Sequence, residues 1–220
     1  MKSNEELQKN VVDAINWEPL LQAAEIGVKA ENGVITLTGS VNTYIKKAEA
    51  EQAAKNVAGV RSVIEKIEIV FNIHDTKTDA EITAAIANIF KWHWDIPTEK
   101  ITVTVENGWV FLTGELEWNY QKEAAKSAVS NLIGIKGITN NINITNSSKD
   151  IIEKKDIEIA IERNGAINNK NIEICVFDNV VTLKGHVDSW YQKSESGRIA
   201  WNAPGVKQVQ NDLFVDFDEL

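Results

Sequence analysis

The sequence predicts an α+β fold made of three tandem α-β-β-α-β repeats, each a three-stranded mixed sheet with two helices on one face. Three similar segments end in Gly39, Gly114 and Gly185, which are 75 and 71 residues apart. A second landmark, a glycine followed by an apolar residue, has the same two offsets and occurs at Gly59, Gly134 and Gly205. Two landmarks that share one register indicate internal repeats. The repeats are predicted at residues 1–74, 75–148 and 149–220.

The first element of each repeat is predicted to be a helix. In the second repeat, Thr78 and Glu81 have the spacing of a capping box. Apolar residues then follow at helical spacing up to Trp92, namely Ile82, Ala85, Ile86, Ile89 and Phe90. The first repeat begins with the same pattern at Ser3 and Glu6, and the third has it at Asp150 and Glu153. In the third repeat the apolar face formed by Ile157, Ala160 and Ile161 favours a start one turn later.

A β-hairpin is predicted to follow. Ile101, Val103 and Val105 alternate with polar residues, and Asn107-Gly108 is typical of a two-residue hairpin turn. Gly33 and Gly108 suit a turn position with positive φ, and Asn179 occupies that position in the third repeat as the best non-glycine substitute. The glycine that closes each returning strand (Gly39, Gly114, Gly185) indicates a bulge or a close approach of two backbones.

A second helix and a last strand complete each repeat. The second repeat shows an Ala-rich helical pattern between Asn119 and Asn131, and we interpret Gly134, like Gly59 and Gly205, as a helix C-cap. Strand residues then follow at Ile138, Ile142 and Ile144.

Composition and charge exclude several classes of protein. The net charge of −9 is shared among the repeats as −2, −3 and −4, which argues against nucleic acid as a partner. No apolar run is long enough for a transmembrane segment, and Met1 to Asn16 alternates charged and apolar residues, unlike a signal peptide. With a single cysteine, Cys175, the sequence favours a reducing, cytoplasmic location.

These landmarks together resemble the BON domain, the bacterial osmotically-induced and nodulation module. The resemblance covers the chain as three copies, marked by residues 32–41 with 58–60, 107–114 with 134–135, and 180–187 with 200–206. It implies a non-catalytic binding or scaffold protein without cofactors, attached to phospholipid membrane surfaces during osmotic or envelope stress. Three copies without a signal peptide are similar to the intracellular branch of the family. Two departures are Asn179 in place of the hairpin glycine and the aromatic segment 117–120.

An aromatic and lysine segment recurs at the start of each second helix. Such rings suit a membrane or protein interface, and the lysines add local positive charge. The alternative is that the rings cover their own cores or pack between repeats. The candidate contact residues are Tyr44, Lys46 and Lys47, then Trp118, Tyr120 and Lys122, then Trp190, Tyr191 and Lys193.

The outer sheet face of the second repeat is a further candidate surface. If Val110 and Leu112 face the helices, Trp109 and Phe111 face away from them, where the other repeats have valine and threonine. We expect this apolar face to contact a neighbouring repeat or another subunit rather than lipid. The rival hypothesis for function is therefore a protein-interaction or self-assembly adaptor that uses outer sheet faces and strand edges, and homo-oligomers are compatible with it.

Catalytic, metal and cofactor sites are not expected. His74, His93 and His186 occupy non-equivalent places in their repeats, which is more typical of incidental histidines than of metal ligands. Cys175 has no basic neighbour in sequence and is expected to be an inert thiol on the outer sheet face.

Overall fold

The structure is a computed structural model that describes residues 3–22, 24–72, 75–145, 152–167 and 171–216. Those residues form six α-helices and three three-stranded sheets. The chain divides into two compact units, Lys2–Asn143 and Ile144–Leu220. The prediction of a mixed α+β fold with three tandem repeats is confirmed.

All three repeats have the same order of helices and strands. The first contains α1 (Asn4–Trp17), β1 (Glu25–Glu31), β2 (Val34–Val41), α2 (Tyr44–Lys55) and β3 (Ser62–Ile69). The second contains α3 (Asp79–Trp92), β4 (Ile101–Glu106), β5 (Trp109–Leu116), α4 (Asn119–Ser130) and β6 (Gly137–Ile144). The third contains α5 (Lys154–Glu162), β7 (Ile172–Phe177), β8 (Val180–Val187), α6 (Trp190–Trp201) and β9 (Gln208–Val215).

Each sheet has its second strand in the centre. In the first sheet β2 runs antiparallel to β1, with Leu37 opposite Val28, and parallel to β3, with Leu37 opposite Glu65. The third sheet repeats this arrangement around Leu183 of β8. In the second sheet β4 and β5 are antiparallel and β6 lies on the other side of β5.

The cores lie between each sheet and its helices. In the first repeat Leu7, Val11 and Ile15 line one face of α1 at helical spacing and pack with the fully buried Ile35 and Leu37 of β2. The second helices contribute small residues to the cores, such as Ala50 and Ala54 in α2, which lets the helix approach the sheet closely. The described helices of a repeat pack on one face of its sheet, so side chains on the other face are candidates for contact.

The first helices begin as their capping signals indicate, with one difference in the third repeat. Thr78 forms a capping box, because its hydroxyl accepts from Glu81 N at 3.3 Å and its own N–H donates to Glu81 Oε2 at 2.8 Å. Ser3 caps α1 through its hydroxyl, which accepts from Glu6 N at 3.1 Å. Asp150 lies outside the described residues, and α5 begins at Lys154, a turn later, as its apolar face indicates.

The third repeat is shorter because its first helix is shorter. α1 and α3 have 14 residues each and α5 has nine. The buried Val11, Ile86 and Ile161 are 75 residues apart throughout, whereas the buried residues after the helix, Leu21, Ile96 and Ile167, are 75 and then 71 apart. Four residues are therefore missing from the third repeat at the end of its first helix.

Left-handed backbone occurs at both central residues of each hairpin turn. The second of them, Gly33, Gly108 or Asn179, has a φ of 82°, 82° or 64°. At Gly39, Gly114 and Gly185 a Cβ would collide with the backbone carbonyl of the neighbouring strand or of the residue preceding it. These glycines are needed because the two backbones approach closely.

The interpretation of Gly59, Gly134 and Gly205 as helix C-caps is wrong. The second helices end earlier, and their C-caps are the right-handed Asn56, Asn131 and Asn202. The glycines lie three residues further on, with φ of 103°, 95° and 85°, in the turn that leads to the last strand. That turn, closed in the first repeat by the bond from Val60 N to Val57 O, is what requires positive φ.

Candidate functional site

The lysines at the fourth position of α2 and α4 are part of the fold. Lys47 Nζ donates to the carbonyl of Ile67 at 2.8 Å and pairs with the Glu65 carboxylate at 2.8 Å. Lys122 Nζ donates to the carbonyl of Ile142 at 2.7 Å. These bonds connect α2 to β3 and α4 to β6, so the charges of both lysines are directed at the edge of their own sheet.

The strand residue opposite this lysine completes the connection. Asn140 Nδ2 donates to the carbonyl of Lys122 at 3.0 Å, and Asn211 Nδ2 donates to that of Lys193 at 2.7 Å. Partial burial lowers the pKa of Lys122, and partial burial likewise lowers the pKa of Lys193. Lys193 Nζ also lies 5.2 Å from the centre of the Trp190 ring, a cation–π contact.

The aromatic residues of the same segments divide into two groups. Tyr44 and Trp190 are half-buried, as is Lys46, and desolvation is the first cause that raises the pKa of Tyr44. Trp118, Tyr120 and Tyr191 are exposed. The structure thus leaves the exposed rings of these segments available for contact, but it keeps Lys47 and Lys122 in internal bonds.

Three tryptophans that the sequence analysis did not select are far more exposed. Trp17 ends α1 and is 87% exposed, Trp92 ends α3 and is 88% exposed, and Trp94 is 92% exposed. A signal was present, because Trp17 and Trp92 are 75 residues apart and each comes two residues after the last residue of a buried helix face. The third repeat has no equivalent, since its four missing residues fall in this turn.

We infer that Trp92 and Trp94 lie at the same end of the second repeat as Trp118 and Tyr120, because α3 leads to the start of β4, and Ile101 there pairs with Gly114 near the end of β5. Lys100 Nζ donates to Glu117 Oε1 at 3.1 Å, which joins the segment after α3 to the residue before Trp118. The third repeat shows the same proximity, because Gln192 Nε2 at the start of α6 donates to the carbonyl of Ala166 after α5 at 3.0 Å. We refer to Trp92, Trp94, Trp118 and Tyr120 as the aromatic end of repeat 2.

The charges around the exposed tryptophans differ between repeats. Trp92 follows Lys91, and His93 Nδ1 lies 3.4 Å from the Asp95 carboxylate, so the nearby charges are balanced. Trp17 is instead preceded by Asp13 and followed by Glu18. An anionic surface would repel the Trp17 turn more than the aromatic end of repeat 2.

Trp109 on the outer sheet face packs within its own repeat. It is 47% exposed, and its ring lies against Gly137, where a Cβ would overlap the indole atoms. Phe111 on the same face is half-buried. The contact of this face with another repeat or subunit stays a prediction. The third sheet carries two further exposed rings, Phe177 and Phe214, the latter 5.8 Å from the ring of His186.

The remaining polar residues do not converge on a reaction centre. Within the described part of the chain there is no group of three or more His, Cys, Asp or Glu side chains arranged to hold a metal ion. His93 and His186 each face one carboxylate, Asp95 and Asp216, and Cys175 is exposed. His74 lies outside the described residues. None of the helices that the structure describes has the length and apolar character to cross a bilayer.

Comparisons with known proteins agree with the repeat structure. The family model of the BON domain matches residues 3–70, 78–146 and 150–216. The chain is 28% identical over 131 residues to Osmotically-inducible protein Y of Escherichia coli (strain K12), a match that covers 56% of this chain and 63% of that protein. It is 29% identical over 126 residues to the 21 kDa hemolysin of Actinobacillus pleuropneumoniae, which covers 56% and 64%. The chain therefore matches less than two thirds of the length of these relatives.

Solved structures give a weaker similarity. The C-terminal domain of CdsD, a structural protein of the type III secretion system of Chlamydia trachomatis, aligns with 98% of this chain and 100% of its own length. The two chains are 14% identical, and the TM-score is 0.25. This similarity is too low to carry an argument about function.

Proposed function

This chain belongs to the BON domain family, and we propose that it is a non-catalytic protein that attaches peripherally to phospholipid membrane surfaces under osmotic or envelope stress. The stress setting is supported by the name of the Escherichia coli relative, an osmotically inducible protein. The cytoplasmic location expected from the sequence is part of the proposal. The single observation that supports membrane attachment best is the aromatic end of repeat 2.

The aromatic end of repeat 2 has the composition of an interfacial anchor. Trp and Tyr combine an apolar ring with a polar edge, and such rings are enriched where hydrocarbon meets the headgroups. Trp92 and Trp94 are already almost free of protein contact, so the membrane can cover them without unfolding α3. Burial of roughly 100 Å² of one ring contributes about 2.5 kcal/mol.

The structure favours binding by ring insertion over binding by charge. The repeat lysines Lys47 and Lys122 are bonded to their own sheets, and the net charge of −9 repels anionic lipid. Attachment should therefore depend little on salt or on the fraction of anionic lipid. This separates the mechanism from a polybasic one, in which each lysine near the surface contributes about 1 kcal/mol and salt weakens binding.

The contacts that the three repeats make with a membrane surface can combine. Once one module is bound, the others are held at a high effective concentration, so weak contacts combine into stable attachment. Trp118 and Tyr120 in repeat 2, and Trp190 and Tyr191 in repeat 3, are secondary contacts in this proposal.

Liposome co-sedimentation tests the proposal. The full chain is pelleted with vesicles of neutral and mixed neutral and anionic phospholipid at low and at physiological salt. The double variant Trp92→Ala with Trp94→Ala should lose at least about tenfold in binding. The matched control is Trp17→Ala, the equivalent and equally exposed ring in repeat 1, which should bind as the natural sequence does.

Three outcomes contradict the proposal. Equal binding by the double variant removes the aromatic end of repeat 2 as the anchor, and no binding to any vesicle removes membrane attachment. Binding that disappears as salt rises would assign it to charge instead of ring insertion.

The rival function, a protein-interaction adaptor, is favoured by one observation. Phe177 and Phe214 are exposed on the face of the third sheet that points away from α5 and α6. Exposed aromatic rings of this kind are typical of protein interfaces. Replacement of both by serine should abolish any self-association that uses this face and should leave liposome binding unchanged. Self-association that survives both replacements removes the sheet face as a docking surface.

A further inference from the structure

The third repeat contains a groove between its two helices. It lies between α5 and the second half of α6 and has a volume of about 730 Å³. Its apolar lining includes Ile157, Ala160, Ile199 and Ala203, and Arg163 and Arg198 lie among its polar residues. The groove lies entirely within the Ile144–Leu220 unit.

The corresponding groove in the first repeat is smaller and has an additional wall. It is lined by the equivalent positions of α1 and α2 and has a volume of about 430 Å³. Trp17 and Glu18, from the last turn of α1 and the residue after it, form part of that lining. In the third repeat the four missing residues remove this turn, and the groove is left wider.

The wall of the wider groove is held in place by hydrogen bonds. Glu195 Oε1 accepts from Asn164 Nδ2 at 3.0 Å, which joins the segment after α5 to α6. Arg198 Nε donates to Glu195 Oε2 at 2.8 Å. A Cβ added at Gly165, which lines the groove, meets no atom within 4 Å. The groove is thus preformed and has room for a side chain from elsewhere.

We propose that this groove receives the Trp17 turn, residues 17–21, of a second copy of the chain. This turn presents the exposed rings and side chains of Trp17 and Leu20. Glu18 in this turn and Asp13, one helical turn earlier in α1, carry carboxylates that complement Arg163. Arg163 is seven residues from Asp156, the acidic residue of the lining, and its Nε donates to the carbonyl of Ile159. The second copy supplies the kind of turn that the third repeat has lost. The alternative ring, Trp92, follows Lys91 and lacks this complementary charge.

Such a contact joins different surfaces of the two copies. A contact between different surfaces can close between two copies that each insert a turn into the other's groove, or it can continue into larger rings or open chains. One groove of this size buries little area, and the association is therefore weak and reversible.

Sedimentation velocity over a concentration series of the full chain tests the proposal. The natural sequence should form dimers or larger species as its concentration rises. Trp17→Ala removes the inserted ring and Gly165→Tyr fills the groove, and each should weaken association by about tenfold. Circular dichroism confirms that both variants are folded.

Mixing the two variants gives the sharpest result. At concentrations at which the weakened association leaves each variant alone monomeric, a mixture still forms one intact contact, because Trp17→Ala keeps its groove and Gly165→Tyr keeps its turn. The mixture should therefore stop at a heterodimer. A charge exchange, Arg163→Glu with Glu18→Lys in one chain, should restore the association that either change alone weakens.

Three outcomes overturn the proposal. The natural chain remaining monomeric at all concentrations overturns it, as does unchanged association of Trp17→Ala, or association lost only in the Phe177→Ser and Phe214→Ser variant. Trp92→Ala is the control and should associate normally. Lipid binding by Gly165→Tyr is measured separately and should be unchanged, so this inference and the proposed function can fail independently.

Discussion

The pairing of Trp109 with Gly137 gives a quantitative test of how the second repeat differs from the others. In the first repeat the equivalent neighbours are Val34 and Ser62, which face each other across β2 and β3. We therefore consider the exchange of Trp109→Val and Gly137→Ser, singly and together. The exchange converts the second repeat to the pair that the first repeat uses.

The magnitudes follow from the burial of the ring. Trp109 is 47% exposed, so about half of its surface, on the order of 100 Å², is buried, and this burial contributes roughly 2.5 kcal/mol. Trp109→Val retains part of that area and should lower the free energy of unfolding by about 1 to 2 kcal/mol. Gly137→Ser alone places a Cβ within the ring position and should cost about 1 to 3 kcal/mol.

Urea unfolding of the full chain, followed by far-UV circular dichroism, measures the three variants against the natural sequence. The double variant should be more stable than the sum of the single changes implies, by at least about 1 kcal/mol, because serine no longer meets the ring. Additive effects within about 0.5 kcal/mol would refute the claim that the ring packs on Gly137. The same double variant also tests the prediction that the outer face of the second sheet contacts another repeat or subunit. If the variant keeps its stability but no longer self-associates, Trp109 belongs to an interface.

Three further predictions concern residues at the second helices and the strands. The pKa of Tyr44 should lie above the ordinary value of 10.0, mainly because partial burial desolvates the phenol and also because Glu51 and Glu65 are near. The ultraviolet absorbance change that is present in the natural chain and absent in Tyr44→Phe should therefore occur at higher pH than for free tyrosine. A pKa that is raised in the folded state contributes stability that is complete below pH 10 and is lost as the pH rises through the folded pKa. The natural chain should therefore lose more stability in alkali than Tyr44→Phe does. Equal losses would contradict this. Lys122→Met leaves the Ile142 carbonyl without its Nζ donor and should cost about 1 to 2 kcal/mol in urea unfolding, whereas the exposed Lys126→Met on the same helix should cost little; equal effects would remove the structural role of Lys122. Gly114→Ala should destabilise the second repeat by about 2 kcal/mol or more, because the new Cβ collides with the Lys100 carbonyl and φ at this position is 142°. The control Gly165→Ala should leave stability unchanged. Hydrogen exchange of the amides in β4 and β5 compares the two variants, and unchanged protection in Gly114→Ala would contradict the prediction.

The fold was predictable where local chemistry and repetition agree. The capping box at Thr78, the Asn107-Gly108 turn and the apolar periodicity of α3 depend on neighbours in sequence, and each occurs where the pattern indicates. The ends of the second helices were harder to predict from the sequence. The glycines at 59, 134 and 205 need positive φ in a turn, and a sequence pattern cannot distinguish that turn from a helix C-cap three residues earlier.

The candidate site could be predicted only in part, for a similar reason. Lys47 and Lys122 look like solvent-facing charges in sequence, but their partners, the carbonyls of Ile67 and Ile142, are 20 residues away and lie on a neighbouring strand. Exposure is also a tertiary property. Trp17 and Trp92 could have been selected from their 75-residue spacing and from their position off the buried face of α1 and α3, whereas Trp94 lies after α3 and has no such signal.

Fluorescence quenching by brominated phospholipids tests the membrane claim most directly. Bromine atoms on the upper acyl chain quench only indoles that enter the bilayer interface. The natural chain should be quenched on mixing with brominated vesicles, at low and high salt alike, and the Trp92→Phe and Trp94→Phe double variant should lose most of that quenching while Trp17→Phe keeps it. Equal quenching of the natural chain and the double variant, or no quenching when the protein is pelleted with the vesicles, would contradict insertion of the aromatic end of repeat 2.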